Sequence, residues 1–311
     1  MVDADDAATF FHTPAYLKLY WEEFGERPEH LLIAFGEEQD GRQIGACAFE
    51  RTGTSLRFLG GTEVTDYMGP VAVPARRDEY AKELWSALLH RTDWETADLW
   101  GLPEDRPWLG LLEASAQDHG LTVERAPDHD GVAPFLALAP TWDAYLGSLT
   151  SKTRHEIKRK AKRLASEAGP FALVRADPGS LNGLLDRFVE LHRLSEGPKG
   201  VFMQPGMEIF FRRLGEAFLP SGVFDLAFID VGGSLEAGTI GFRFGSTFYL
   251  YNSAFSRRLE QLSPGMVLIS EVIRSAIGSG CESFDLLKGD YAYKYRFGAV
   301  PRQVGRLVVS R

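Results

Sequence analysis

The chain carries one order of elements twice, and this repetition limits its architecture more than any other feature. In the first half, strand-like runs at 31–35, 43–50 and 55–59 are separated by Asp40-Gly41 and Thr52-Gly53. A helical pattern over 77–90 and a strand over 97–100 follow. In the second half, strands over 224–231, 235–244 and 247–254 are separated by Gly232-Gly233 and Gly245-Ser246. A helix starting at Pro264 and a strand over 283–287 follow. Glycine turns between apolar runs predict antiparallel hairpins. Gly41 precedes Gly233 by 192 positions and Asp98 precedes Asp285 by 187, a near-constant offset that marks internal duplication. The expected fold class is α+β, with mixed, mostly antiparallel sheets and flanking helices in two tandem units. The expected domains are residues 1–148, a basic linker helix over 149–170, and residues 171–311. Strands over 121–125 and 132–138 should close the first unit. Helices over 180–195 and 205–218 should open the second, and a strand over 304–309 should end it.

A chain of 311 residues can hold two cores. With 44% hydrophobic and 25% charged residues it reads as globular. No apolar run nears the ~20 residues that span a bilayer. The acidic start Met1-Val2-Asp3-Ala4-Asp5-Asp6 is unlike a secretory leader. Cys47 and Cys281 lack metal or redox spacing and suit a reducing, cytoplasmic setting. The seven histidines are scattered, so no metal site is expected. Neither a Gly-x-Gly-x-x-Gly, a Walker loop nor a His-Glu-x-x-His occurs, which argues against dinucleotide, P-loop and zinc-protease chemistry. Residues 1–150 hold 11 Lys+Arg against 27 Asp+Glu, and residues 151–311 hold 23 against 16. Such polarisation fits either capture of an anionic ligand or attraction between the halves.

Between the halves, Ser148, Thr150 or Ser151 can cap a helix that Gly169-Pro170 stops. Ile157, Ala161, Leu164 and Ala168 form one narrow apolar stripe, and the other faces are basic. This is either a solvated linker or a rail for phosphate or tRNA backbone, running from Lys152 to Arg163.

Several segments together resemble the CelD-like acetyltransferase branch of the FemAB-like acyltransferases. They are Phe248-Tyr249-Leu250-Tyr251-Asn252-Ser253-Ala254-Phe255, Leu262-Ser263-Pro264-Gly265-Met266-Val267-Leu268, Phe284-Asp285-Leu286-Leu287-Lys288-Gly289-Asp290, Tyr293-Lys294 and Phe297-Gly298. Leu191-His192-Arg193 and the basic helix are also similar to that group. The resemblance is strongest over 150–300. The first half shares the order of elements and Asp66-Tyr67-Met68-Gly69-Pro70. It implies two tandem GNAT-like (acyl-CoA N-acyltransferase) domains, the first degenerate. The implied activity is transfer of an acyl group, acetyl by expectation, from a thioester donor to an amine. Acyl-CoA would be a co-substrate, with no tightly bound cofactor. The acceptor would be a small amine, amino-sugar or peptide in the cleft between halves.

The residues fit that chemistry as follows. Ser263-Pro264-Gly265 opens a helix whose free N–H groups suit a pyrophosphate, with Met266 next and Arg257 and Arg258 just before. The usual Gln/Arg-x-x-Gly-x-Gly/Ala survives only in fragments over 261–266. Tyr251 and Asn252 end the central strand, where a donor channel should open. Through the resemblance, Lys294 would polarise the carbonyl, held by Asp290 four residues earlier on a helical turn. Asp285 would accept from the amine or cap the next turn. Tyr293 or Tyr291 would protonate the leaving group, and Glu271 is a weaker base. His192, Asp66 and Tyr67 are expected on the acceptor side. Two other readings compete: an aminoacyl-tRNA-dependent enzyme, and a non-catalytic scaffold tied to polysaccharide or cell-envelope synthesis.

Overall fold

The computed structural model describes residues 2–38, 40–194 and 202–311. The chain divides into two units, residues 1–133 with 302–311, and residues 134–301. The first contains α1 (Pro14–Phe24), β1 (Leu31–Glu37), β2 (Gln43–Thr52), β3 (Ser55–Phe58), β4 (Val71–Ala72), α2 (Arg77–Leu89), β5 (Thr96–Pro103), α3 (Pro107–Asp118) and β6 (Thr122–Val132). The second contains β7 (Phe135–Ala137), α4 (Trp142–Ser148), α5 (Ser151–Ala168), β8 (Phe171–Arg175), α6 (Leu181–Arg193), α7 (Pro205–Phe218), β9 (Phe224–Val231), β10 (Ser234–Phe244), β11 (Thr247–Phe255), α8 (Pro264–Gly278), β12 (Ser283–Asp285) and α9 (Ala292–Tyr295). The final strand β13 (Gln303–Ser310) returns to the first sheet. The expected end of the 180–195 helix at Ser195 lies outside the described residues.

The sheets run β1-β2-β3-β5-β13-β6, with β4 on β2, and β7-β12-β11-β10-β9-β8. Two expected boundaries are therefore corrected. The run at 132–138 supplies β7 to the second sheet, paired to β12, and the last strand closes the first sheet between β5 and β6. Short apolar strands carry no local mark of their partner, so the sequence pattern could not assign them. With these units the charge balance is 14 Lys+Arg to 26 Asp+Glu in the first and 20 to 17 in the second.

The basic helix α5 is not a linker. Thr150 caps it, its Oγ1 accepting from the Thr153 amide at 3.2 Å, and Gly169 ends it at φ 105°. Ile157 and Leu164 are buried in the second core with Leu250, Val267 and Leu268. Burial of that apolar stripe is what fixes α5 to the second unit. Strand β9, buried along nearly its whole length, lies between β10 and the edge strand β8. Gly232 and Gly233, both at positive φ, make the tight turn from β9 to β10.

The duplication is visible in register. In the first unit β3 runs parallel to β5 through Ser55↔Thr96, Leu56↔Ala97 and Arg57↔Asp98. In the second, β11 runs parallel to β12 through Thr247↔Ser283, Phe248↔Phe284 and Tyr249↔Asp285. Asp98 and Asp285 occupy matching places. Both oxygens of Asp98 are taken by Arg306, at 2.6 and 2.9 Å, and that guanidinium lies 3.8 Å from the Trp100 ring centre. In the first unit this position is structural.

Candidate active site in the second unit

Pairing between β11 and β12 stops at Tyr249↔Asp285, while β11 continues to Phe255 against β10. Beyond Tyr249, β12 has ended and β11 has no partner on that side. A bulge between Ile240 and Gly241 leaves Tyr251 without a register partner and bends β11 at this point. The chain then passes through a 3-10 turn, Arg257–Leu262, into α8, which packs on β9, β10 and β11.

The donor end differs in detail from expectation. Ser263 has φ 55° and makes no side-chain cap to α8. Its Oγ instead accepts from Lys160 Nζ at 2.9 Å, and Arg163 donates to the Gln261 carbonyl at 3.3 Å. Lys160 is 13% exposed and also lies 3.6 Å from Glu156. Burial, together with the nearby positive charge of Arg296, outweighs Glu156 and holds its ammonium below the usual lysine range. Pro264 starts the helix, and the nearest atom a Cβ added at Gly265 would meet belongs to the Phe255 side chain, at 3.6 Å, so Gly265 leaves room rather than filling a tight approach. Arg257 is exposed on the turn.

Arg258 is already engaged. Its guanidinium pairs with Glu236, a carboxylate 1% exposed. Burial pushes that carboxyl up, but hydrogen bonds from Arg258, Ser234 and Ser256 outweigh it and leave the net shift downward. Arg258→Ala is therefore expected to cost about 1–3 kcal/mol in urea unfolding. That is less than a fully buried pair loses, because the Arg258 side chain is 60% exposed. Adding Glu236→Gln should recover part of the loss, and a double variant no more stable than Arg258→Ala would contradict this.

The other wall is the turn after β12. Asp285 is buried, and its Oδ1 accepts from the Leu287 amide at 2.8 Å, so capping is its visible role. Leu287 sits at φ 60° and Gly289 at φ 105°. A Cβ at Gly289 would fall 2.3 Å from the Tyr291 ring, so this turn needs glycine. Lys294 is 2% exposed, and its Nζ donates to the carbonyls of Leu287 at 2.8 Å and Lys288 at 2.7 Å. The same ammonium lies 5.5 Å from the Tyr291 ring centre.

Asp290 does not hold Lys294 in the way the spacing predicts. Helix α9 begins at Ala292, so Asp290 precedes it and the i,i+4 geometry does not apply. Its carboxylate accepts from the Tyr295 hydroxyl. Tyr293 is half-buried beneath the exposed Tyr291, its ring stacked on that one at 6.3 Å. Burial and Tyr291 push the Tyr293 phenol up to about 12, while a hydrogen bond with Ser253 on β11 opposes them. That bond ties the β12 turn to the part of β11 beyond Tyr249.

Other sequence candidates are packing residues. Tyr251 meets Phe211 at 5.3 Å and Phe242 edge-on at 5.8 Å. The Asn252 side chain folds back to accept from the Ser253 amide at 2.8 Å. His192 is 0% exposed, between Phe188 and Phe202, at 5.9 and 5.8 Å, and belongs to the aromatic core rather than an acceptor surface. In the first unit Tyr67 is buried against Phe11 and its hydroxyl takes a 3.3 Å bond from Arg302, whereas Asp66 is half-buried. Sequence reasoning missed Lys160 and Ser253 as site residues. The basic run pointed to Lys160 only as one of many cations.

Residues 151–295 match a family model described as an acetyltransferase (GNAT) domain. No curated protein matches the chain. Among solved structures, FemX is similar at 11% identity and TM-score 0.69, covering 98% of this chain and 93% of FemX. A conserved protein of unknown function from Bacteroides thetaiotaomicron is similar at 13% and 0.67, covering 100% and 94%. L-PGS from Bacillus licheniformis is similar at 14% and 0.58, covering 96% and 91%. At such identities the likeness is one of fold, and it extends over both units. Among the described residues no helix is long and apolar enough to cross a membrane.

Proposed function

We propose that this chain, an acyltransferase with a FemAB-like tandem GNAT fold, moves a short acyl group from acyl-CoA to an amine in its second unit. The observation that carries this reading is the three-pair β11/β12 ladder, beyond which β11 runs unpaired on that side toward the start of α8. An extended thioester arm fits along that side, where unpaired β11 backbone groups can receive its amides. The diphosphate would lie at Ser263–Met266, on the Gly265 amide that opens α8, since the Ser263 and Met266 amides already bond the Glu260 and Ser263 carbonyls, with Lys160 alongside and Arg257 nearby.

As the amine attacks, the thioester oxygen gains charge, and in this reading the Lys294 ammonium stabilises it. Departure of sulfur needs a proton, which Tyr293 supplies. Asp285 and the Leu287 and Lys288 carbonyls hold the wall against which this happens.

Lys160→Ala is expected to raise KM for acetyl-CoA about 10-fold, with kcat within about 3-fold, consistent with loss of one charge-assisted contact of roughly 1.5 kcal/mol. A truncated N-acetylcysteamine thioester, which lacks the diphosphate, should show no such change. Equal losses with both donors would contradict the phosphate placement.

An aminoacyl-tRNA donor is the second reading, favoured by Lys158, Arg159 and Lys162 remaining exposed on α5. Affinity for charged tRNA would then fall steeply between 50 and 200 mM salt. Salt-insensitive or absent tRNA binding rejects it.

A further inference from the structure

Tyr291, between β12 and α9, is 57% exposed, yet its ring is held on several sides. Its amide donates to the Gly289 carbonyl at 3.0 Å and its carbonyl accepts from the Lys294 amide at 3.0 Å, which fixes the backbone. Gly289 leaves room for the ring edge, Tyr293 stacks on it at an interplanar angle of 16°, and the Lys294 ammonium lies 5.5 Å from its centre. An aromatic ring that is open to water and already ordered gives a ligand a flat surface with little further ordering. The surroundings of the ring are polar. Asp290 is exposed beside it in the chain, its carboxylate held by the Tyr295 hydroxyl, and Lys288 is half-buried on the same turn.

We propose that Tyr291 and Asp290 form the binding platform for an amino-sugar acceptor, an inference that rests on the acyl transfer to an amine proposed above. The C–H face of a pyranose lies on the open ring of Tyr291, and the sugar's ammonium is drawn to the Asp290 carboxylate. The negative face of an aromatic ring attracts the weakly positive C–H groups that line one side of a pyranose. A wholly apolar ligand would find one ring's width of apolar surface bordered by charge. An acyclic amine has no flat face to lay there. An amino sugar matches both parts, because its ring has an apolar side and a polar rim and its nitrogen is cationic until it reacts. A sugar held on Tyr291 is also kept beside the turn that buries Lys294. Tyr291 and Asp290 bind and orient, and neither takes part in the bond changes.

The test uses Tyr291→Leu, Tyr291→Phe and Asp290→Asn in the full chain, with glucosamine and the acyclic ethanolamine as acceptors. Tyr291→Leu is expected to raise KM for glucosamine about 10-fold and for ethanolamine less than about 2-fold, the scale of one aromatic stack. Tyr291→Phe should hold both within about 2-fold of wild type, and Asp290→Asn should raise both about 5-fold, because each amine carries an ammonium. A loss of kcat through the Lys294 contact would fall on both acceptors alike and leave the KM ratio to report the stack. Equal KM changes for the two amines in Tyr291→Leu, or unchanged KM in Asp290→Asn, overturn the platform. A wild type that uses ethanolamine but not glucosamine does the same. Saturation-transfer NMR with glucosamine supplies a readout independent of turnover. The axial protons on one face of the sugar should receive most saturation in wild type and Tyr291→Phe, and lose it in Tyr291→Leu. Saturation spread evenly over the sugar, or unchanged in Tyr291→Leu, overturns the proposal. A wild type that shows the one-sided pattern but acetylates neither amine would instead defeat the reaction assigned to the site and leave the platform standing.

Discussion

Lys294→Ala is expected to lower kcat by at least about 100-fold, the scale of losing one group that stabilises an oxyanion. The same change should also destabilise the second unit. The ammonium is buried and binds two carbonyls, Leu287 and Lys288, the first of them fully enclosed. Leaving such acceptors unmatched costs about 1–3 kcal/mol for a buried one and less for the other. Turnover and stability must therefore be read together, by steady-state kinetics beside urea unfolding. A Lys294→Ala protein that stays folded, binds donor and has lost turnover supports the catalytic role. Wild-type turnover in that protein removes it and leaves Lys294 as the clasp of the turn.

Acidification from pH 7.5 to 4.5 is expected to cost the first unit about 2.5 kcal/mol through His12 alone. Burial takes this imidazole down to about 4, against an ordinary value of 6.5. Its Nδ1 accepts from the Thr9 amide at 3.1 Å, which assigns the remaining proton to Nε2. A second proton on Nδ1 would face an N–H donor. Because the folded value is depressed, the unfolded chain binds the extra proton first as pH falls through 6.5, and stability drops until about pH 4. At 1.36 kcal/mol per unit, most of that window yields the figure above. Urea unfolding of wild type and His12→Gln across this range isolates the effect from the carboxylates. Parallel stability curves for the two proteins would contradict it.

What the sequence disclosed was local. Glycine turns marked the hairpins on both sides of β2 and β10, and Thr150 with Gly169 marked α5. What it hid was partner choice. Nothing within 135–137 or 303–310 says which sheet each strand completes, because that depends on edges formed far away in the chain. The apolar stripe of α5 was legible, but its burial against α8 was not, and so Lys160 could not be placed beside Ser263. Asp290 was assigned by a helical spacing that begins two residues too late to include it. His192 was judged by residue type, whereas its neighbours Phe188 and Phe202 decide its role.

The central claim is that a thioester donor lies along the unpaired side of β11 in the second unit, with its phosphates at the start of α8. Hydrogen exchange of the full chain, read by mass spectrometry with and without saturating acetyl-CoA, tests it most directly. The expected result is slowed exchange in 250–256, 263–268 and 287–294. Unchanged exchange in the first two segments, at a concentration where acetyl-CoA raises Tm, would contradict it.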